Sequence, residues 1–336
     1  MNPPKLVLLT GATGLLGTFV LRDLLKNHLR IRATYRNADK ILSEFKNHPD
    51  IDWFKCDMVD SDTLYEATEN CHTVIHTASL IKFEKSSDKN IFFTNVEGTS
   101  KLINAALFNK VTKFIYISSV TAFPAISGNH LVDEKDNWNI EPYPSYYAWS
   151  KFLAEKEIYR GEVEGLSTLI LNPSSILGPG NWFEGPSLFF SETAKGNYFY
   201  PKGSGGFIDV RDLSDIITKG VLLDAFKGQF IASAWNENYR QLQNLIAKKF
   251  NKKAPSFPLE FPMSELAILF DYLQSTLFKQ QRKVTRDSIR IANLKVLYNN
   301  ELLTNFLNYQ FRSKEETIEW VCSKYTETRH STMLKP

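Results

Sequence analysis

The residue pair with the clearest chemical potential is a tyrosine followed four positions later by a lysine. Tyr147 and Lys151 lie in the stretch YYAWSKFLAEKEIY, which predicts a helix with both side chains on one face. A free phenol has a pKa of about 10, and a neighbouring ammonium favours its phenolate form. The pair therefore predicts proton exchange with a substrate oxygen near neutral pH. A surface pair with this spacing is commoner, so the position in the fold has to decide between the two interpretations.

Two serines follow an apolar run of strand length. Ser118 and Ser119 come directly after KFIYI, which predicts a place at the carboxyl edge of a parallel sheet, where ligands of open α/β sheets bind. A hydroxyl there could donate a hydrogen bond to a carbonyl oxygen that gains negative charge. The alternative interpretation is a serine-rich turn that ends the strand.

The stretch Leu6–Gly17, LVLLTGATGLLG, predicts the element that holds a cofactor beside these groups. It reads as a strand, a tight turn and a helix. Gly11, Gly14 and Gly17 have the spacing of a dinucleotide-binding fingerprint, in which backbone N–H groups approach a pyrophosphate. The helix N-terminus adds a partial positive charge. A turn without any ligand is the alternative, and the flanking strand and helix favour cofactor binding.

The first half of the chain alternates strand-length apolar runs with amphipathic helices, which predicts a parallel sheet covered on both faces. The predicted strands are Lys5–Thr10, Arg30–Tyr35, Ile51–Lys55, Thr73–His76, Lys113–Ile117 and Ser167–Leu171, with Gly228–Ala232 returning to the same sheet. The predicted helices begin near Gly14, Ala38, Ser61, Asp88 and Ser145. After Leu171, prolines and glycines end the alternation, which indicates a second, less regular unit.

The predicted fold class is therefore α/β, a doubly wound parallel sheet with a smaller C-terminal substrate domain. The dinucleotide-binding domain is predicted to comprise residues 1–172 and 207–235, and the substrate domain residues 173–206 and 236–325. Residues 326–336 are polar and are expected to fray. Aromatic residues early in the substrate domain fit either its core or a pocket for an apolar substrate; they are Trp182, Phe183, Phe189, Phe190, Tyr198, Phe199 and Tyr200.

Composition narrows the possible functions. The 336 residues are 43% hydrophobic and 23% charged, with a net charge of +3, so neither nucleic acid nor an anionic membrane is indicated as a partner. Cys56, Cys71 and Cys322 lack zinc-ligand spacing, which predicts free thiols, no metal site and a reducing compartment. A strand close behind Met1 predicts a cytoplasmic protein without a signal peptide. Carboxylates within Leu259–Phe278 argue against a membrane span.

Taken together, the motifs TGATGLLG, VIHTAS, TNVEGT, YISS and YxxxK, in this order, resemble the extended short-chain dehydrogenase/reductase family over nearly the whole chain. The resemblance implies that Tyr147 donates the proton, and that Lys151 modifies its pKa and anchors the cofactor ribose. It implies that Ser119, rather than Ser118, binds the carbonyl oxygen. It also implies that Asn95 supports a water molecule of the proton relay.

The resemblance further implies a set of cofactor contacts: Gly11, Thr13, Gly14, Leu15, Leu16, Gly17, Arg36, Asp57, Met58, His76, Thr77, Ala78, Tyr147, Lys151, Asn172 and Pro173. Arg36 stands where an NAD-specific site would place an acidic residue for the ribose 2′-hydroxyl. A guanidinium suits the 2′-phosphate of NADP. NADP is therefore the expected cofactor, with NAD as the alternative.

The residues beyond Ser119 indicate a branch of the family. Val120 and Thr121 replace the acidic pair found in sugar-nucleotide dehydratases, and Phe123 and Pro124 depart from the pattern of sugar epimerases. The stretch LNPSSILGPG is similar to dihydroflavonol and cinnamoyl-CoA reductases. The resemblance thus implies reduction of a ketone or aldehyde, apolar or aromatic, at the junction of the two domains. The alternatives are a nucleotide-sugar epimerase and an NADP-binding regulatory or scaffold protein. Helices that contain Asn95 and Tyr147 could form a homodimer.

Overall fold

The computed structural model describes residues 5–81, 88–126, 128, 130–136, 145–260, 265, 268 and 286–333. Its strands are β1 Leu6–Thr10, β2 Arg30–Tyr35, β3 Ile51–Lys55, β4 Cys71–His76, β5 Lys113–Ile117, β6 Leu131–Val132, β7 Ser167–Pro173, β8 Ser175–Leu177, β9 Phe199–Tyr200, β10 Ser204–Asp209, β11 Gly228–Ala232, β12 Trp235–Asn238, β13 Phe257–Pro258 and β14 Leu297–Tyr298.

The helices alternate with these strands. They are α1 Leu15–Lys26, α2 Ser61–Thr68, α3 Asp88–Phe92, α4 Gly98–Phe108, α5 Tyr146–Val163, α6 Leu188–Lys195, α7 Val210–Leu222, α8 Tyr239–Lys249, α9 Arg286–Ala292, α10 Glu301–Leu307 and α11 Lys314–Met333. A π-helical turn, Phe93–Glu97, joins α3 to α4. None of the helices in the described part of the chain combines the length and the apolarity that a bilayer crossing requires.

Seven parallel strands form the main sheet, in the order β11-β7-β5-β4-β1-β2-β3. The order reverses between β1 and β4, which is the arrangement of a doubly wound sheet with its switch point there. The predicted fold class is confirmed. All seven strands run the same way, so the segments that follow their carboxyl ends share one edge of the sheet.

The chain divides into two compact units. The first comprises residues 1–123, 146–173 and 210–232 and contains the seven-stranded sheet. One side of this sheet packs against α2, α4 and α5 through fully buried side chains such as Leu8, Val74 and Phe114. Each such side chain stabilises the fold by about 1.5–3 kcal/mol. This buried layer fixes α5, the helix that contains Tyr147 and Lys151, against the sheet.

The second unit comprises residues 124–145, 174–209 and 233–336. The predicted division places the first of these ranges in the dinucleotide-binding domain. Its sheets are small: β12-β10-β8, β13-β9 and β14-β6. Among the aromatic residues singled out in the sequence, Trp182 and Phe190 are buried in its core and Phe189 packs against them. Phe183 and Tyr198 are exposed. For the buried aromatic residues, these positions favour a role in the core over a role in a substrate pocket.

The predicted strands of the main sheet match the observed ones to within two residues at each end. The helix predicted from Ala38 is wrong, because residues 38–40 form only one 3₁₀ turn. The carbonyl of Phe45 accepts a hydrogen bond from Trp53 Nε1 at 2.9 Å, and Pro49 follows, so no helical ladder continues there. The tail expected to fray from Thr326 is helical up to Met333. The apolar segment Leu259–Phe278 lies largely outside the described residues.

Candidate active site

The carboxyl edge of the main sheet brings most of the predicted site residues together. The glycine-rich loop follows β1, Arg36 follows β2, Asp57 and Met58 follow β3, His76 ends β4, Ser119 follows β5, and Asn172 and Pro173 end β7. In the strand order, most of the predicted cofactor residues follow β4, β1, β2 and β3, whereas Asn172 and Pro173 lie at the end of β7 and the predicted catalytic serine follows β5. Sequence-distant motifs thus converge on one edge because the strands are parallel.

Tyr147 lies in the first turn of α5 and hydrogen-bonds with Ser119 and Ser79. Ser79 Oγ donates to Asn95 Oδ1 at 3.3 Å, so the Ser79 oxygen is left to accept from the phenol. Burial raises the pKa of Tyr147 to about 12, against the lowering effect of its bonds with Ser119 and Ser79. The phenol is therefore protonated at neutral pH.

Lys151 is not among the groups that shift the pKa of Tyr147 in this structure, and its role as the modifier of that pKa stays a prediction. The Lys151 ammonium is directed at β5, where Nζ donates to Ile117 O at 2.8 Å and to Tyr116 Oη at 3.2 Å. It also lies 4.7 Å from the centre of the Tyr116 ring. Burial lowers the pKa of Lys151 to about 7, although the negative charge of Glu155 opposes this shift. Near neutral pH, Lys151 is therefore close to the midpoint of its titration.

Ser119 begins the 3₁₀ turn Val120–Ala122 and caps it with its own side chain. Its Oγ accepts from Thr121 N at 3.2 Å and from Thr121 Oγ1 at 3.0 Å. Because both of these bonds use the oxygen as acceptor, the Ser119 proton is left to be donated, and Tyr147 is its partner in this structure. Ser118 is 3% exposed, whereas Ser119 is half-buried.

Asn95 is held in the π-helical turn and is 2% exposed. Its Oδ1 accepts from Leu80 N at 2.8 Å, and its Nδ2 donates to Leu80 O at 3.0 Å and to Ser150 Oγ at 3.1 Å. The side chain thus joins the segment after β4 to helix α5. The Asn95 carbonyl accepts a hydrogen bond from Thr99 Oγ1 at 2.6 Å.

The His76 side chain lies in the core. Its Nδ1 lies 2.7 Å from Thr10 Oγ1 and its Nε2 lies 3.1 Å from Thr99 Oγ1. The Thr99 proton goes to Asn95 O, so we assign the ring proton to Nε2. Burial, together with the charge of Lys151, lowers the pKa of His76 to about 3. The imidazole is neutral and both nitrogens are bonded within the protein.

The backbone of the glycine-rich loop has the shape that a dinucleotide requires. Gly11 has φ +72°, and a Cβ there would lie 2.6 Å from Thr77 Oγ1; a Cβ at Gly17 would lie 2.2 Å from Gly11 O. Both glycines are needed for close packing. At Gly14 the nearest atom is Gly11 O at 3.3 Å, so the space above Gly14 is otherwise open. No described side chain caps α1, whose N–H groups face this space. The loop therefore fits a pyrophosphate.

The other predicted cofactor residues differ in their solvent exposure and in their hydrogen bonds within the protein. Arg36 is exposed, and no described residue forms a hydrogen bond or an ion pair with it. Asp57 is exposed and its Oδ1 accepts from Val59 N at 3.3 Å, while Met58 is buried. Thr77 Oγ1 donates to Thr10 O at 2.7 Å, and Ala78 N donates to Thr10 Oγ1 at 3.3 Å. Thr13, Leu15 and Leu16 are partly exposed around the start of α1.

Sequence reasoning missed several buried polar residues that surround the site. Glu155 follows Lys151 by one helical turn and is 5% exposed, and it bonds Asn172 and Gln229. Tyr116 Oη accepts from Lys151, and Ser79 contacts Tyr147. The i, i+4, i+8 spacing of Tyr147, Lys151 and Glu155 was the available signal, because it places all three on one face of α5.

Comparison with known proteins shows which family the chain belongs to. The sequence profile of the 3-beta hydroxysteroid dehydrogenase/isomerase family matches residues 8–202, more than half of the chain. The chain belongs to this family. The predicted membership of the extended short-chain dehydrogenases/reductases is thereby confirmed, and the members of this family are NAD(P)-dependent oxidoreductases and epimerases.

Curated relatives of this family member include three reductases and dehydrogenases. Vestitone reductase of Medicago sativa is 30% identical over 189 residues, covering 51% of this chain and 58% of that protein. Dihydroflavonol 4-reductase of Callistephus chinensis is 27% identical over 270 residues, 74% of each chain. 3 beta-hydroxysteroid dehydrogenase type 7 of Mus musculus is 31% identical over 192 residues, 53% and 52% of the two chains. The chain spans between 49% and 62% of the length of the first curated relatives that it matches.

Solved structures share the fold over nearly the whole chain. The crystal structure of gox2253 has a TM-score of 0.81 with 23% identity and covers 96% of this chain and 98% of that one. The UDP-glucose 4-epimerase of Thermus thermophilus, solved in complex with NAD, has a TM-score of 0.73 with 16% identity and covers 96% and 99%. At these identities the likeness concerns the fold.

Proposed function

We propose that this chain is an NADP(H)-dependent oxidoreductase that reduces a ketone or aldehyde to an alcohol. The observation that carries the proposal is the hydrogen-bonded pair Tyr147 and Ser119, placed on the catalytic side of the sheet edge with Lys151 one helical turn away. Relatives that are named reductases support the same direction of reaction. Asn95 braces the segment that contacts Tyr147, which keeps the phenol in place.

In the proposed reaction the carbonyl oxygen of the substrate takes the place between the Ser119 and Tyr147 hydroxyls. Bound NADPH supplies the hydride that the carbonyl carbon accepts. Ser119 Oγ donates a hydrogen bond to the oxygen as negative charge develops on it. Tyr147 Oη, protonated at neutral pH, then transfers its proton to that oxygen and becomes a phenolate. The Lys151 ammonium stabilises this phenolate, and solvent restores the phenol.

The choice of NADP rests on Arg36. It is exposed at the end of β2 and has no ion-pair partner among the described residues, so its guanidinium is available to a 2′-phosphate. An Arg36→Gln variant is expected to lower kcat/KM for NADPH about tenfold or more and to leave kcat/KM for NADH nearly unchanged. Equal losses for both cofactors would contradict this role.

Purified protein assayed against aromatic, aliphatic and steroidal aldehydes and ketones, with NADPH and NADH in parallel, tests the reaction itself. Tyr147→Phe is expected to abolish turnover, because the proton donor is lost, and to keep the Kd for NADPH within about twofold. The matched control is Tyr146→Phe, since Tyr146 is the neighbouring tyrosine and is 48% exposed. Turnover by the Tyr147→Phe variant would contradict the proposal. A wild-type protein that consumes no cofactor but carries it through purification would instead favour an epimerase.

A further inference from the structure

Glu155, Asn172 and Gln229 form a hydrogen-bonded cluster that contacts the main chain of Ser119, hereafter the Glu155 cluster. Asn172 Nδ2 donates to Glu155 Oε1 at 2.6 Å and to Ser119 O at 3.0 Å. Gln229 Nε2 donates to Glu155 Oε2 at 3.2 Å and to Asn172 Oδ1 at 3.0 Å. Tyr159 Oη donates to Gln229 Oε1 at the outer end. The cluster thus connects α5, β7 and β11 to the main chain of Ser119.

The topology explains how these residues meet. In the parallel ladders Tyr116 pairs with Ile170, and Ile170 pairs with Gln229, so all three lie on one face of the sheet. Asn172, two residues beyond Ile170, lies on that face as well. Glu155 reaches it from α5, one turn beyond Lys151. The cluster therefore occupies the face of the sheet on which Lys151 contacts Tyr116.

The donors and acceptors of the cluster permit only one orientation of the Asn172 amide. An ionised carboxylate only accepts hydrogen bonds, and both Glu155 oxygens accept here. Nδ2 of Asn172 must therefore face Glu155, and the donation from Gln229 Nε2 fixes Oδ1 on the other side. The second Nδ2 proton is then aimed at Ser119 O. Ser119 O also accepts from Ala122 N at 3.0 Å, so this bond anchors the turn that carries the serine.

We propose that Asn172 and Glu155 are positioning residues of the carbonyl-reducing site: Asn172 fixes the main chain of Ser119, and Glu155 fixes the amide of Asn172. This inference rests on the proposed function. It also gives Asn172 a different task from the cofactor contact that the family resemblance implies, since all three of the side-chain bonds described above are made within the protein. Through Asn172, Glu155 acts on the turn that carries Ser119, and this is separate from its electrostatic effect on Lys151.

A variant that replaces the Glu155 carboxylate with an amide tests the orienting role. Glu155→Gln has nearly the same shape but can present an N–H group to Asn172, which allows the amide to turn its oxygen towards Ser119 O. We expect kcat to fall about 10- to 100-fold, because small displacements of a hydrogen-bond donor in the transition state are costly, while KM and the Kd for NADPH stay within about twofold. Glu164→Gln is the matched control, because Glu164, directly after α5, forms an exposed ion pair with Arg160.

The decisive comparison repeats the substitution in a chain that lacks the serine hydroxyl. If Glu155 acts by placing Ser119, the Glu155→Gln effect on kcat shrinks to less than about threefold in a Ser119→Ala background. A loss of the same size in both backgrounds would overturn the proposal, because the effect would then bypass Ser119. Gln229→Ala, on the edge strand β11, serves as a second variant if Glu155→Gln does not fold, and the same non-additivity is expected of it.

A second measurement does not depend on activity. Amide hydrogen exchange of the segment 113–123 reports the turn after Ser119, because Thr121 N bonds to Ser119 Oγ and Ala122 N to Ser119 O. Faster exchange there in Glu155→Gln, with unchanged exchange in β1 and α1, supports the positioning role even if no carbonyl substrate is turned over and the proposed function fails. Unchanged exchange in segment 113–123 overturns the positioning role whatever the wild-type activity.

Discussion

Two buried polar clusters adjoin Lys151, and they differ in charge. The first is neutral: His76 lies between Thr10 and Thr99, and Thr99 in turn bonds Tyr116 and the carbonyl of Asn95. The second is the Glu155 cluster, which contains a carboxylate. His76, Glu155 and Asn172 are all buried, and in the second cluster the carboxylate requires the groups that contact it to act as donors.

The difference in charge indicates what each cluster contributes to stability and to catalysis. The neutral cluster joins β1, β4 and α4 and so stabilises the fold, but its imidazole stays uncharged at neutral pH. The charged cluster also opposes the lowering of the pKa of Lys151 by burial. Polar burial beside an active site thus serves stability in one case and, in our proposal, catalysis in the other.

Among changes at these two clusters, replacing Lys151, the residue that adjoins both, is expected to have the largest effect. Lys151→Met should lower kcat for carbonyl reduction by about 100-fold or more, since the phenolate loses its stabilising charge. In the wild type the ammonium is lost as pH rises through about 7, so kcat should fall over that range. A kcat profile measured from acid to alkaline pH checks this, and a variant with the same profile as the wild type would contradict the assignment.

Acid sensitivity is the signature expected of the neutral cluster. The pKa of His76 is about 3 in the fold and about 6.5 when unfolded, so the unfolded chain binds more protons between these values and stability falls as pH drops through this window. From about pH 7.5 to pH 4.5 the loss due to His76 is about 2–3 kcal/mol. Urea unfolding of the wild type and His76→Gln should show this difference in pH dependence. Parallel curves for the two proteins would exclude His76 as the cause.

Removal of the Thr99 hydroxyl group distinguishes the contribution of hydrogen bonding to the stability of the neutral cluster from that of packing. Thr99→Val leaves the His76 Nε2–H group and the Asn95 carbonyl without the partner they share, at a cost of about 1–3 kcal/mol in unfolding free energy. Thr99→Ser keeps the hydroxyl and is the control. If both variants lose equal stability, the hydrogen bonds are not what stabilises this cluster.

The smallest effect is expected at the outer end of the Glu155 cluster. Tyr159 is 36% exposed, so water can replace its hydroxyl as donor to Gln229 when Tyr159→Phe is made. The change in kcat should stay below about twofold. A loss as large as that of Glu155→Gln would mean that the order of importance along the cluster is the reverse of the one proposed.

The sheet and its edge were predictable from the sequence because apolar periodicity and the glycine spacing are local signals. The spacing of Tyr147 and Lys151 predicted a common helix face for the same reason. The pKa of Tyr147 was not predictable, because it depends on burial and on the direction of the Lys151 side chain. The Glu155 cluster was missed because Asn172 and Gln229 lie 57 residues apart in sequence and meet only through strand pairing.

The place of Gln229 on the edge strand has a consequence for assembly of the protein. β11 follows β7 in the chain only after the whole segment from β8 to α7, and it is the outermost strand beside β7. During synthesis, β1 to β7 can pair before β11 leaves the ribosome, because such contacts are formed as the chain becomes available. The bond that fixes Oδ1 of Asn172 must await that last strand. A nascent chain could thus hold Tyr147, Lys151 and Ser119 in a paired sheet and still be inactive until β11 docks.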